Sequence, residues 1–577
     1  MTSSPDWVPK PAPLPRVWLL ATFVSLGTSL VIVLPFFWLG SASGHDFEFH
    51  LASWMDVAGQ WREGILLPRW MEWANHGFGE PRFLFYPPLS WLIAPALSFV
   101  VRWVDVPVAF IVLTQTFAGL SAFALARSLG IGRAALFGAL CYAANPNALL
   151  IVYLRSDYAE LLACAFFPLL FLAGLEVAGI LDCPVGSRWH RLVRFALLFA
   201  AVWLSNAPAG VMITYSAAAL FAYAACAAKS WAPVMYGASG IGLGFGLAGF
   251  YLVPAAYEQR WVNIAQALSS GLLPTQNFLY TAINDPEHTL FNWIASTAAM
   301  VLMVTTGVAA IAAHRASAQT KIASVERTME AWWRAMLVVA VISSLLMLRG
   351  TAVVWQWLPK LRFVQFPWRW MSILATAFSC FVAAATANRR FGWLWVSAVT
   401  TLLVATGWFF VKQAWWDSDD IPTLQASITQ GNGFEGTDEY DPVGDDHYDL
   451  PDQAPPVQII PGDQASVVPK NVNMNLKVWT ATHKEIEISS PEPLKLGLRL
   501  LNYPAWHITV NGKTIQPGRQ EEINRMILDL PAGNSQVQVQ FAATPDRMVG
   551  WMVSLGSVLV AMSLALWPIN RNTKLAA

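Results

Sequence analysis

Apolar stretches of about twenty residues recur along almost the whole chain, with the charges gathered at their ends. A helix rising about 1.5 Å per residue needs a run of that length to cross a hydrocarbon layer about 30 Å thick. The composition agrees with a membrane as the main solvent. The 577 residues are 55% hydrophobic and 12% charged, against roughly a quarter charged in soluble domains, so a soluble globule is excluded. A formal net charge of zero gives no basic excess for nucleic acid. Neither a zinc-finger spacing nor a Walker loop occurs, so nucleotide phosphates are not an expected energy source.

Apolar runs lie near 17–39, 87–103, 108–126, 134–153, 161–181, 190–206, 208–228, 233–256, 291–313, 334–350, 368–387, 391–411 and 548–568. The first is longer than a signal-peptide core and reads as an uncleaved anchor. If all of them crossed, Lys10 and Arg16 on the inside would force the Arg127/Arg133 and Arg188/Arg191/Arg194 loops outside, against the positive-inside rule. The segment 87–103 opens with Pro87-Pro88, contains Pro95 and is short for a span, so it is expected to lie along the outer surface. Every later inner loop then becomes basic, ending with Arg571/Lys574. The expectation is an all-α polytopic membrane protein of about twelve transmembrane helices with both termini inside. Its transmembrane domain is 1–411, with an outer loop at 40–107.

Residues 412–547 form an extracytoplasmic region, and 548–577 the final span and tail. From about Leu476 to Phe541 the pattern has period two, as in Gln536-Val537-Gln538-Val539, with turn signals at Asn511-Gly512 and Pro531-Ala532-Gly533. This predicts a small all-β sandwich before the last helix, serving as a spacer, a cap or a glycan binder. The cysteines Cys141, Cys164, Cys183, Cys226 and Cys380 all precede Lys412, so disulfides cannot staple it. The acidic loop with Asp438, Asp441, Asp445, Asp446 and Asp449 reads as solvated, with a cation held through oxygens as the alternative.

The first outer loop holds the densest set of chemistry-bearing residues: His45-Asp46-Phe47-Glu48-Phe49-His50, Pro68-Arg69-Trp70 and Phe85-Tyr86-Pro87-Pro88. On spacing alone an ordinary interfacial loop with hydrated carboxylates explains them. Taken with Arg155-Ser156-Asp157-Tyr158-Ala159-Glu160 and the segment Leu358–Arg369, however, they resemble the GT-C superfamily of membrane glycosyltransferases over nearly the whole chain. Within it the chain is similar to a bacterial subgroup labelled 6-pyruvoyl-tetrahydropterin synthase-related membrane protein, a label that does not denote pterin chemistry.

The resemblance implies transfer of a sugar from a polyprenyl-phosphate donor to a cell-envelope glycan, lipid or protein at the outer face of the bacterial inner membrane. Asp46 matches the acid beyond the first helix and is expected to act as base; Asp157 matches the acid of the second outer loop, with Glu160 beside it. Glu48, Arg69, Tyr86, Arg155, Arg362 and Arg369 are the expected substrate-binding residues. Since some members use a divalent metal ion, His45 and His50 are candidate ligands, although their spacing matches no metal motif. Pro367-Trp368-Arg369-Trp370 reads equally as a headgroup-level anchor. A transporter or flippase would be expected to carry charges or broken helices near the bilayer midplane, and the two outer acids argue against a non-catalytic scaffold that merely keeps the fold.

Overall fold

A computed structural model describes residues 14–181, 187–317, 323–387, 392–444, 449–460 and 471–566. Among them, nine helices are long and apolar enough to cross a membrane, or eleven if two sharply bent pairs each count as one crossing. The twelfth expected span, Arg188–Ser205, is 18 residues long and carries Arg188, Arg191 and Arg194; by composition it stands apart from the eleven. The apolar stretch at 87–103 is helical only over Pro88–Leu97, 10 residues, about half the length a span requires.

The runs at 233–256 and 334–350, expected as single helices, are broken. Ala232–Leu247 meets Gly249–Trp261 at 76°, and Glu330–Leu346 meets Arg349–Trp357 at 90°. A break frees backbone groups that need partners where water is absent. At the first break one serine of the last helix (Pro545–Ala565) supplies them. Ser554 Oγ donates to the Gly246 and Leu247 carbonyls, each at 3.1 Å, and accepts from Phe250 N at 2.8 Å.

Near the middle of the bundle stands Met371–Thr386, whose side chains are buried from Met371 through Ala385. It packs against Pro286–Ser317, Ala323–Leu346 and Ala135–Ala143. The neighbouring span begins at Gly132 and ends at Arg155. It is interrupted at Asn145, whose side chain accepts from Asn147 N and Ala148 N at 2.9 and 3.1 Å; it closes on a π-helical turn, Ile151–Arg155.

After the bundle a β-sandwich forms, as the period-two pattern predicts. One sheet has the order β3 (Val457–Ile460), β6 (Leu494–Leu501), β10 (Arg525–Leu530), β9 (Gly518–Arg519). The other runs β4 (Asn473–Trp479), β5 (His483–Ser490), β11 (Gly533–Phe541), β7 (Trp506–Val510), β8 (Lys513–Ile515). All pairs are antiparallel. Asn511 and Gly512 both take positive φ, 50° and 77°, the two-residue hairpin geometry that Asn-Gly favours. Val537 and Val539 of β11 face inward with Ile486 and Ile488 of β5, while the intervening glutamines are exposed.

The first loop is shared between the two cores. Trp70, Phe78, Leu84 and Phe85 belong to the hydrophobic core of the sandwich, whereas Phe47, Leu51, Trp54 and Phe83 belong to that of the helices. Trp70 packs on Trp506 at 5.3 Å and Phe541 at 5.6 Å.

A buried carboxylate ties the sandwich to the last helix. Glu258 accepts from Arg547 Nε and Nη2 at 2.7 and 3.0 Å, from Tyr503 Oη at 2.5 Å and from Thr544 Oγ1 at 3.2 Å. Removing one partner of a buried pair leaves an uncompensated charge, which costs about 3–5 kcal/mol. Glu258→Gln is therefore expected to lower the thermal unfolding temperature sharply and to open Ala542–Thr544 to protease; an unchanged transition would contradict this.

Candidate functional site

The loop that leaves the first helix is stitched to the turn after Arg155. Ser41–Ala42 (β1) pairs with Trp416–Asp417 (β2). Asp46 N donates to the Arg155 carbonyl at 2.8 Å, and Gly44 N donates to Ser156 Oγ at 3.1 Å. A side chain at Gly44 would not fit: its Cβ would lie 2.5 Å from the Arg155 carbonyl carbon and 2.6 Å from the Leu154 oxygen. Ser156, at φ 56° and ψ 27°, turns the chain so that Asp157 begins the next helix. Asp157 Oδ1 accepts from Glu160 N at 2.9 Å, an N-cap, which leaves its other oxygen for the site.

That oxygen meets two arginines. Arg155 Nη2 donates to Asp157 Oδ2 at 2.9 Å and to Asp46 Oδ2 at 3.1 Å, and Arg155 Nη1 donates to Glu160 Oε2 at 2.5 Å. Arg369 reaches Asp157 Oδ2 with Nη2 at 3.4 Å and Glu160 Oε2 with Nε at 3.1 Å. Trp368 lies beneath the Arg155 guanidinium, 5.3 Å from its carbon, a cation–π contact. His50 Nε2 sits 3.4 Å from Asp157 Oδ1, and Tyr86 is within 5.8 Å of the His50 ring centre to centre. Burial by itself would raise the Asp157 carboxyl, but Arg155, His50 and Arg369 hold it well below the usual carboxylate range.

Exposure separates the acids. Arg155, Asp157 and Glu160 are buried, whereas 39% of the Asp46 side chain remains exposed. Asp46 is thus the member of this cluster that an outside molecule can reach. The arginines are committed: two guanidinium groups face three carboxylates, so neither is a free clamp for phosphate. The anchor reading of Pro367–Trp370 is corrected, because Trp368, Arg369 and Trp370 are all buried rather than at a lipid interface.

The other expected residues disperse. Glu48 is exposed and lies near Asp420, Glu435 and Asp417; desolvation by packed neighbours, and then these three carboxylates, push its carboxyl up. Arg362 is exposed and lies over Phe363. Arg69 lines a separate cavity with Arg547. His45 turns to Phe291 and the Leu154 carbonyl, away from the role of a shared ligand with His50. Among the described residues no group of three or more His, Cys, Asp or Glu is arranged to hold a metal. Asp445 and Asp446 of the acidic loop lie outside the described residues, while Asp441 accepts from Asn75 Nδ2 at 2.8 Å. A cavity of about 370 Å³, lined among others by Ser43, His45, Leu154, Phe291 and Trp415, opens next to Asp46 in the chain.

Sequence reasoning missed the pairing of His50 with Asp157 and the stacking of Trp368 on Arg155, since neither spacing carries a signal. It also missed Asp56, one turn and more beyond the site on Phe47–Arg62. This buried carboxyl accepts from Gln60 Nε2 at 2.5 Å and Trp73 N at 2.9 Å.

Residues 83–417 match the model of the 6-pyruvoyl-tetrahydropterin synthase related domain, a membrane protein family. The chain belongs to this family. The matched span of this 6-pyruvoyl-tetrahydropterin synthase related protein contains Tyr86, Arg155, Asp157, Glu160, Arg362 and Arg369 and ends at the strand that pairs with Ser41–Ala42; Asp46, His50, Arg69 and the sandwich lie outside it. No curated relative matches the chain.

Burial pushes Asp56 up to about 7, against the opposing hydrogen bonds from Trp73, Gln60 and Glu72. The folded state therefore binds a proton that the unfolded chain releases near pH 4, and stability falls as pH rises from about 4 to about 7. Asp56→Asn should flatten the thermal unfolding profile between about pH 5 and about pH 7. An unaltered slope would show that another group sets it.

Proposed function

We propose that this membrane protein is a glycosyltransferase acting at the outer face of the bacterial inner membrane, taking a sugar from a polyprenyl-phosphate donor. The observation that carries the reading is the half-exposed Asp46 carboxylate, held by a buried arginine at the end of the first helix. The GT-C resemblance supplies the reaction class.

In that reaction the acceptor O–H or N–H attacks the anomeric carbon. The bond from that carbon to the phosphate oxygen breaks, and the phosphate departs with the electron pair. The acceptor proton passes to Asp46, a base within reach of solvent-borne groups. Asp157 and Glu160 act through Arg155 and Arg369 as positioning residues, because both carboxylates are buried and already engaged. The cavity beside His45 is walled by Leu154, Leu290, Phe291 and Trp415, with Leu290 and Trp415 exposed. Such a surface suits the isoprenoid part of a donor. Arg362, exposed and without a carboxylate partner among the described residues, is the arginine of the expected set best suited to the departing phosphate.

A scaffold is the second reading, favoured by the burial of Arg155, Asp157 and Glu160, which would stabilise the junction of two helices without any chemistry. Asp46→Asn separates the two. In membrane-inserted protein with an unchanged unfolding temperature, envelope glycan transfer should fall by about a hundredfold or more. Unchanged glycans would favour the scaffold, and loss of substrate flux with transfer intact would favour a transporter.

A further inference from the structure

On the side of the molecule where the sandwich meets the last helix lies a cavity of about 200 Å³. Its polar wall carries Arg69, Arg547 and Thr482, and its apolar wall carries Leu67, Met548 and Trp551. Among the described residues no carboxylate lines it. Arg547 is engaged by Glu258 behind the wall, but Arg69 differs: among the described residues its guanidinium makes no hydrogen bond and no ion pair. Arg69 is part-buried, and a guanidinium facing a cavity with donors not taken up by a described neighbour can receive an anion through paired N–H groups. Burial first, and then Arg547, lower Arg69 to about 10, with Glu258 opposing, as expected for a cation short of negative partners. Asp546, the other nearby acid, is buried in the first turn of the last helix and is not part of the lining.

The position of the cavity identifies the source of the anion. It opens where the apolar helix Pro545–Ala565 begins. Met548 and Trp551, 59% and 50% exposed, continue into the exposed apolar row Met552, Leu555 and Leu559. Trp in the second turn of such a helix marks the headgroup level. A free phosphate would use only the arginine wall, whereas a phospholipid would also lay its chains along that row.

We propose that Arg69, in the cavity it shares with the Glu258-bound Arg547, binds the phosphodiester headgroup of an anionic membrane phospholipid, separate from the Asp46 cluster and independent of the glycosyltransferase reading. The bound lipid sets its phosphodiester beside Arg69 and wedges the first loop, the sandwich and the last helix together at one membrane face.

The full chain, purified in detergent and transferred to nanodiscs of mixed phosphatidylglycerol and phosphatidylcholine, provides the test by native mass spectrometry of retained lipid. The wild type should retain phosphatidylglycerol preferentially, and Arg69→Gln should reduce that retention at least fivefold without changing phosphatidylcholine. Equal retention by Arg69→Gln overturns the site. Inorganic phosphate alone should not displace phosphatidylglycerol; full displacement would overturn the lipid assignment in favour of a free anion. Should Arg69→Gln not fold, a photoreactive phosphatidylglycerol on the wild type should label the peptide holding Met548 and Trp551. Labelling no greater than with the choline analogue would overturn it.

Discussion

The arrangement of the first loop depends on one buried guanidinium. Arg155 is inserted among Asp46, Asp157 and Glu160, and a charge removed from water in this way is tolerable only when its partners are close and well aligned. That demand fixes the turn around it. The π-helical end of one span, the left-handed Ser156 and the N-cap of the next span all place carboxylate oxygens around one side chain. Gly44 is drawn against the same backbone, which sets where Asp46 stands and how much of it stays in contact with solvent.

The same logic recurs at the seams of the molecule. Several places where bundle, first loop and sandwich meet contain a buried polar contact with directional geometry. Glu258 receives Arg547, Tyr503 and Thr544. Arg82 bridges Glu80 at 2.5 Å and Thr437 at 2.6 Å. Leu501 N of the sandwich donates to the Phe78 carbonyl of the first loop at 3.0 Å. Apolar packing holds these parts together without direction; the buried charges define how they are oriented. The exposed edge of Asp46 is thereby presented by a frame of buried contacts, as the proposed reaction would require of a base.

Much of this was legible in the sequence because it follows from periodicity. Apolar runs of span length announce the helices, and the alternation of Gln536–Phe541 announces a strand with one buried face. Asn511-Gly512 announces its hairpin. The breaks at Leu247 and Leu346 were not legible, since Ser554, which satisfies the first, lies some three hundred residues away. The site divides in the same way. Asp46, Arg155, Asp157, Glu160 and Arg369 were identified as chemistry-bearing residues, and the fold joins them. Their division of labour was hidden, because it rests on burial: Asp157 and Glu160 carry the same charge as Asp46 but are closed off by two arginines. Arg69 was grouped with them by its place in the first loop, yet the loop crosses from one core to the other before reaching it. Trp368 and Trp370 look like headgroup anchors by composition, and only packing shows them to be interior.

The proposed reaction requires the edge of the Arg155 cluster carrying Asp46 to face away from the cytoplasm. Glu48, exposed and two residues beyond Asp46, can be replaced by cysteine in a chain whose exposed Cys226 is changed to serine, and probed with a membrane-impermeant maleimide. Full labelling is expected in intact cells with the outer membrane permeabilised. Labelling that appears only after the inner membrane is opened would contradict it.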